Sequence, residues 1–303
     1  MILAPLRGVT VRSFRKVFSG PLAEYGFTEA FTPFIAANSG VDPLKDRELK
    51  PAVDDVSSGR LLVTPQFIGK DPAALKFCLQ RIKAHGYKTA DLNCGCPYPM
   101  VRNKFRGSGL LKTRDVLMRM IETGCDVMGA GAFSIKTRLG VERTDELLGL
   151  MQEINRFPLR FLTVHARTAR QMYDGECDMQ AFSLVASQSA IPLVFNGDAA
   201  IEGGRVRFPQ EGIGDVQLAD VMIGRAFVRE LSKRNDIGDL LERYILESIA
   251  EFGSDRAVLG RMKELLAYWA VFPAWARTWR IVKMARSVEE LRMIIAHRIS
   301  PSD

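Results

Sequence analysis

A parallel (β/α)8 barrel of the TIM type, followed by a C-terminal all-α helical bundle, is the fold this sequence predicts, on three observations. Short apolar runs, several of them β-branched, recur eight times with helical patterns between them. No glycine-rich dinucleotide loop follows the first run, which favours a closed barrel over an open doubly wound sheet. Nearly every run ends in a polar residue or glycine, and in a barrel those ends converge on one rim.

The runs are Ile2–Ala4, Phe27–Ala30, Leu61–Phe67, Thr89–Leu92, Phe133–Ile135, Phe161–Val164, Ile191–Phe195 and Asp220–Ile223. Between them, Asp71-Pro72 supplies an N-cap and a proline at the first helical position, ahead of Leu75, Cys78 and Ile82. Thr113 is placed to cap a helix with Val116, Leu117, Met120 and Ile121 on one face. Leu147, Leu150, Met151 and Ile154 repeat that spacing, whereas residues 32–58 read as a long loop or short helices. After Arg225 the alternation stops. Ile237, Leu240, Leu241, Tyr244, Ile245 and Ile249 form one apolar stripe, and Leu259, Met262, Leu265, Leu266 and Trp269 a second. Pro273 breaks the chain, and Ser287 with Glu290 makes a capping box. The expected division is a barrel over 1–232 and a bundle of about four helices over 233–303.

Composition narrows the function. The 303 residues suffice for one large domain and a small one. No apolar stretch approaches the roughly 20 residues that span a membrane, and the N-terminus lacks the basic and apolar parts of a signal peptide. A cytoplasmic protein without membrane contact is expected. Five cysteines, with only Cys94 and Cys96 close together, and three scattered histidines argue against both a disulfide framework and a metal site. The net charge of +7 is compatible with a polyanionic partner. It is concentrated. Residues 101–114 hold Arg102, Lys104, Arg106, Lys112 and Arg114 with no acidic residue, and residues 256–303 hold nine Arg or Lys against four Asp or Glu. Nothing demands more than a monomer.

The strand ends read Ala4-Pro5, Glu29, Gln66, Asn93, Lys136, His165, Asn196-Gly197-Asp198 and Gly224-Arg225. Just past Asn93 lies Cys96, between Gly95, which permits close backbone approach, and Pro97, which fixes the turn. A thiol near its free pKa stays protonated at neutral pH and can act as a general acid. Lys136 in a barrel needs an electron-rich partner, and Gln66 and Asn93 offer paired donors and acceptors. Loops after the seventh and eighth strands commonly hold phosphate. Gly197 and Gly224 expose backbone N–H groups there, and Arg225 can grip a phosphate with two bonds.

Taken together, Leu3-Ala4-Pro5 with Gly8-Val9-Thr10, Asp91-Leu92-Asn93-Cys94-Gly95-Cys96-Pro97 with Gly107-Ser108-Gly109-Leu110-Leu111, Lys136-Thr137-Arg138-Leu139-Gly140, His165-Ala166-Arg167-Thr168, Asn196-Gly197-Asp198 and Met222-Ile223-Gly224-Arg225 resemble the tRNA-dihydrouridine synthase family over most of the chain. The resemblance implies an FMN-bearing barrel, a helical domain that holds tRNA, and electrons from NADPH or NADH. It implies hydride delivery from flavin N5 to C6 of a uridine, with Cys96 protonating C5. Ala4, Pro5, Leu6, Gln66, Lys136, His165, Asn196, Gly197, Asp198, Gly224 and Arg225 would then bind FMN. Asn93, Arg138, Arg167 and Lys263 would lie near the RNA. Leu6, Val11, Tyr98 and Ala226 depart from the usual pattern. Two other readings compete. A flavin reductase of a free pyrimidine or small enone would have no use for the basic C-terminal segment. A non-catalytic RNA-binding protein would not need Cys96, Lys136, His165 and Arg225 together.

Overall fold

The computed structural model describes residues 1–49, 61–203, 205–209 and 216–299. In chain order the strands are β1 (Ile2–Leu3), β2 (Glu29–Phe31), β3 (Ile35–Ala36), β4 (Leu62–Thr64), β5 (Gln66–Ile68), β6 (Ala90–Cys94), β7 (Phe133–Gly140), β8 (Leu162–Thr168), β9 (Leu193–Asn196), β10 (Ala200–Glu202), β11 (Arg205–Arg207) and β12 (Asp220–Ile223). Ten form one parallel sheet in the order β3-β5-β6-β7-β8-β9-β12-β1-β2-β4, while β10 and β11 make a separate antiparallel pair. Strands β4 and β5 are two halves of one stave, split at Pro65, which has no N–H for a ladder. The first half pairs with β2 and the second with β6, so the sheet closes on itself through Pro65. The result is the expected eight-stave barrel, with β3 as a short addition beside β5.

Inside and outside alternate along each stave, as a period of two requires. Ile2, Ala4, Phe31, Phe161, Val194 and Met222 form a small apolar cluster of their own, with Phe31 and Phe161 stacked at 6.2 Å. Their chain neighbours Leu3, Ala30, Leu193, Phe195, Val221 and Ile223 belong instead to the large core beneath the helices. Both faces are therefore buried, which is why the runs are apolar without polar alternation.

The helices of the barrel are α1 (Arg12–Val17), α2 (Ser19–Glu24), α3 (Pro72–Ala84), α4 (Pro99–Arg102), α5 (Arg114–Met128), α6 (Met151–Ile154), α7 (Met179–Gln188) and α8 (Arg225–Leu231). Asp71 caps α3 as expected, accepting from the Ala73 N–H at 3.0 Å. Thr113 does not cap α5 with its side chain, because its hydroxyl donates backwards to the Leu110 carbonyl. The irregular stretch after residue 31 contains β3 and two 3-10 turns, Pro43–Lys45 and Arg47–Leu49, and its remainder to residue 58 lies outside the described residues.

Four further helices follow among the described residues: α9 (Ile237–Phe252), α10 (Asp255–Trp269), α11 (Pro273–Val282) and α12 (Val288–Ile299). Half of the capping box at α12 forms: the Glu290 N–H donates to Ser287 Oγ, while the Glu290 carboxylate accepts from the Arg286 N–H, one residue before the cap. The apolar stripes of α9 and α10 pack against the barrel as well as one another. Tyr244 meets Phe14 and Phe18 edge-on at 6.1 and 5.7 Å, and Trp269 donates its indole N–H to the Val228 carbonyl at 2.6 Å. One continuous apolar cluster joins barrel and bundle.

Three expectations about strand ends change. Glu29 begins its strand rather than ending it. It is buried at the opposite end of the barrel, paired with Arg160 at 2.7 Å and bonded to Thr64. Lys136 and His165 lie within β7 and β8, not at their ends. Both strands run on past the barrel wall because they continue to pair with each other, Arg138 opposite His165 and Gly140 opposite Thr168.

The seat of α5 yields a test. A Cβ at Gly124 would lie 2.0 Å from the Phe133 ring. Replacing a helical glycine by alanine ordinarily stabilises by about 1 kcal/mol. Overpacking a rigid core typically costs about 1–3 kcal/mol. Gly124→Ala is therefore expected to lower stability by up to about 2 kcal/mol, as read by chemical denaturation; a gain would show that this helix is loosely seated.

Candidate active site

The C-terminal ends of the staves surround a cavity of about 500 Å³, within the range of small-molecule and cofactor sites. Its lining includes Ala4, Pro5, Leu6, Asn93, Cys96, Lys136, Arg138, His165, Asn196, Gly197, Gly224 and Arg225, all anticipated from sequence. Adjacent staves bring them together through register, which sets Asn93 opposite Lys136 and His165 opposite Asn196.

The loop bearing Cys96 is held from beneath. Asn93 Oδ1 accepts the N–H groups of Gly95 and Cys96 at 3.1 and 2.9 Å. Because backbone N–H can only donate, this fixes which way the Asn93 amide faces. Its Nδ2 donates to Gln66 Oε1 at 2.7 Å, and Gln66 Nε2 donates to Asp91 at 2.8 Å. The other oxygen of Asp91 accepts from Ser134 at 2.7 Å. Burial pushes the Asp91 carboxyl up to about 8, with Ser134, Gln66 and Lys136 restraining the rise. Gln66 thus stands behind Asn93 and outside the cavity lining.

Cys94 and Cys96 part company. Cys94 lies inside β6, fully buried, while Cys96 lines the cavity. Burial pushes the Cys96 thiol up from its usual value, against the pull of the Tyr98 N–H, Arg138 and Arg7. It stays protonated at neutral pH. The glycine that lets the chain close over this thiol is Gly107 rather than Gly95. Its φ is +56°, and a Cβ there would come within 2.8 Å of the Cys96 Cβ. Gly95 instead lies against the backbone of β7 at Lys136 and Thr137.

The cavity is cationic. Arg7, Lys136, Arg138, Arg225 and Arg229 line it, with no carboxylate among the lining residues. Lys136 Nζ donates to Asn196 Oδ1 at 2.7 Å, and Asn196 Nδ2 in turn donates to the Met222 carbonyl at 2.8 Å. Burial and then Arg138 lower the Lys136 pKa to about 7. Burial, reinforced by these cations, holds His165 neutral. Arg138 donates to the carbonyls of Gly95, Thr168 and Met172 at 2.9, 2.8 and 2.7 Å, which ties the Cys96 loop to the loop after β8. Tyr173 lies against both Arg138 and Arg225, at 5.3 and 4.9 Å.

Other anticipated residues stand elsewhere. Arg167 is buried behind His165, bonded to Asp198, Cys177 and the Gly175 carbonyl, and Asp198 also lies 3.7 Å from Arg225. Lys263 donates to the Ala285 carbonyl at 2.7 Å and so ties α10 to the segment before α12. Conversely, Arg7, Phe34, Tyr98, Tyr173, Arg229 and Tyr268 line the cavity without having been singled out as site residues. Arg229 was within reach of sequence, being one helical turn beyond Arg225 on α8. Tyr268 was not, because only the tertiary docking of α10 brings it there. No group of three or more candidate metal ligands exists among the described residues.

Comparison with known proteins bears on this site. The family model for dihydrouridine synthase matches residues 2–230. The chain is 28% identical over 287 residues to a probable tRNA-dihydrouridine synthase of Helicobacter pylori, covering 88% of this chain and 82% of that one. It is 26% identical to tRNA-dihydrouridine synthase B of Pseudomonas aeruginosa, covering 92% and 86%. Among solved structures, morphinone reductase in complex with tetrahydroNAD shares the fold at a TM-score of 0.53 with 14% identity, covering 81% of this chain and 86% of that chain.

Lys136 gives a pH test. Its pKa in the folded protein is about 7 against an ordinary 10.5, so between those values the unfolded chain binds more protons. Stability of the ligand-free protein therefore rises with pH across that window. At about 1.4 kcal/mol per unit, this one group contributes on the order of a few kcal/mol. Lys136→Met is expected to remove that part of the rise in denaturation measured from pH 7 to 10.5. An unchanged slope would mean the ammonium is not confined.

Proposed function

This chain belongs to the dihydrouridine synthase family, and we propose that it reduces the C5–C6 double bond of uridines in tRNA, with bound FMN and with NADPH or NADH as electron source. The observation that carries this reading is a protonated thiol, Cys96, on the edge of a cation-lined cavity with no carboxylate. A thiolate nucleophile or a carboxylate pair would suit hydrolysis. A thiol acid beside fixed positive charge suits reduction of a polarised ring bond, which needs a hydride on one carbon and a proton on the other.

The residues present fit FMN. Lys136, held by Asn196, and neutral His165 suit the pyrimidine half of the ring, where negative charge is held on reduction. Backbone N–H groups near Gly197 and Gly224, with Arg225, suit the phosphate. Ala4, Pro5 and Leu6 supply an apolar wall. Gln66, Arg167 and Asp198 support this site from behind rather than lining it. Bound flavin supplies the hydride.

The chain supplies the rest. Asn93 holds the Cys96 loop and retains a second amide hydrogen for a ring carbonyl. Arg138 fixes the same loop from the other side. Cys96 gives its proton to C5, and its high pKa keeps it recharged from solvent between turnovers. Pro33, Phe34 and Tyr173 complete the cavity wall. We assign the helices beyond residue 232 to holding tRNA, an assignment supported by the excess of Arg and Lys over residues 256–303. Lys263, already bonded to Ala285, serves that surface as an internal tie. The place of action under this reading is the cytoplasm, with the tRNA.

The test compares two cysteines. Cys96→Ala is expected to retain FMN and its reduction by NADPH, while reduction of tRNA falls by about 10²-fold or more. Cys94→Ala is expected to stay within a few-fold of the parent in both half-reactions. Unimpaired tRNA reduction by Cys96→Ala, measured by rapid mixing of reduced enzyme with tRNA, would remove the thiol from its role.

A further inference from the structure

A second concavity lies beside the first, at the seam between barrel and bundle. It is a groove of about 380 Å³ lined by Arg47, Phe252, Arg256, Arg261 and Glu264, with Ser254, Ala257 and Gly260. Phe252, the last residue of α9, carries two guanidinium groups. That of Arg47, from the 3-10 turn after β3, lies 5.4 Å from the ring centre, and that of Arg261, from α10, lies 5.0 Å from it. The two cations cannot be farther apart than the sum of those distances.

Like charges at that separation repel, and an aromatic face only partly offsets it. Among the described residues neither Arg47 nor Arg256 has an ion pair, and Arg261 has one loose contact, to Glu264 at 3.8 Å. Glu264 is turned toward the barrel, its carboxylate against Gly8. Among the described residues the groove therefore presents three arginines with their charge largely uncompensated, two of them lying over one ring.

Its location says what would fill it. Ala267 and Tyr268, farther along α10, line the main cavity. Seven residues separate Arg261 from Tyr268, about 10 Å along a helix, a span of one or two nucleotides of RNA backbone. We propose that this groove is a phosphodiester clamp, in which Arg47, Arg256 and Arg261 grip the backbone of the tRNA strand whose uridine enters the main cavity. Phe252 orients the guanidinium forks and Glu264 bounds the groove on the barrel side. The clamp spans a barrel residue and the bundle, so it reads the RNA only when the two are docked. It rests on the tRNA reading above and adds the place where the strand is held.

The experiment measures binding of fluorescently labelled, unmodified tRNA to the FMN-loaded protein by anisotropy over a range of salt. For Arg47→Ala/Arg261→Ala the expected result is an affinity loss of ten-fold or more near 0.1 M salt. The plot of log affinity against log salt becomes shallower by about 1–2, while flavin reduction by NADPH and thermal midpoint are unchanged. Phe252→Leu keeps the charges, so a smaller loss with an unaltered salt slope is expected. Should the double variant fail to fold, Arg256→Glu at an exposed position takes its place, with a several-fold loss expected. Parental affinity and slope in the double variant, or in Arg256→Glu where that is used, overturn the clamp. A parent that binds tRNA without reducing it contradicts the proposed function and leaves the clamp standing, whereas a parent that binds no tRNA overturns both.

Discussion

The hydrogen-bonded file from Asp91 through Gln66 and Asn93 to the N–H of Cys96 is the constraint on which the site depends. Its polarity is set from one end, where backbone N–H groups can only donate. From there the direction is carried down to Asp91 by the amides themselves, since Asn93 and then Gln66 each has its N–H left to give. Every side chain between is buried and satisfied, so no alternative arrangement of the amides competes at similar energy. A thiol on a loop would ordinarily wander. Here the loop is anchored from below by Asn93, from the side by Arg138, and from above by Gly107 and Ser108, whose N–H and hydroxyl both reach the Cys96 carbonyl.

The same file explains the electrostatics. Asp91 is buried under the cavity floor instead of lining it, and its carboxyl is raised to about 8. It cannot fully neutralise Lys136, whose ammonium is held at about 7 by burial and by Arg138. The cavity thus keeps a positive lining with its counter-charge withheld. That arrangement is costly in the ligand-free protein and favourable for a ligand that brings or develops negative charge. Stability is conceded at one place so that binding can recover it.

Much of this was legible in the sequence, and the limits were physical. Short continuous apolar runs revealed the staves because both faces of a parallel barrel are buried, and the polar residues after them marked the rim. What the pattern could not show was how far β7 and β8 extend past the wall, since that depends on their pairing with each other. Glu29 misled because a polar residue in an apolar run looks alike at either end of a stave; only its pairing with Arg160 locates it at the far end. Gln66 stands behind the cavity lining, its amide shared between Asn93 and Asp91, a pairing that only the register of β5 against β6 reveals. Asp91 itself was readable, being two residues from Asn93 and hence on the same inward face. Tyr268 and the paired arginines on Phe252 had no local signal, for they meet only when the bundle docks.

The reaction we propose for this rim adds a hydride and a proton across the uracil ring of a tRNA uridine. Its most direct measurement is mass-spectrometric mapping of tRNA from cells lacking the protein, before and after incubation with purified protein, FMN and NADPH. The account predicts a gain of two hydrogens at one or a few defined uridines and nowhere else. Flavin that is reduced by NADPH while every uridine keeps its mass would contradict it.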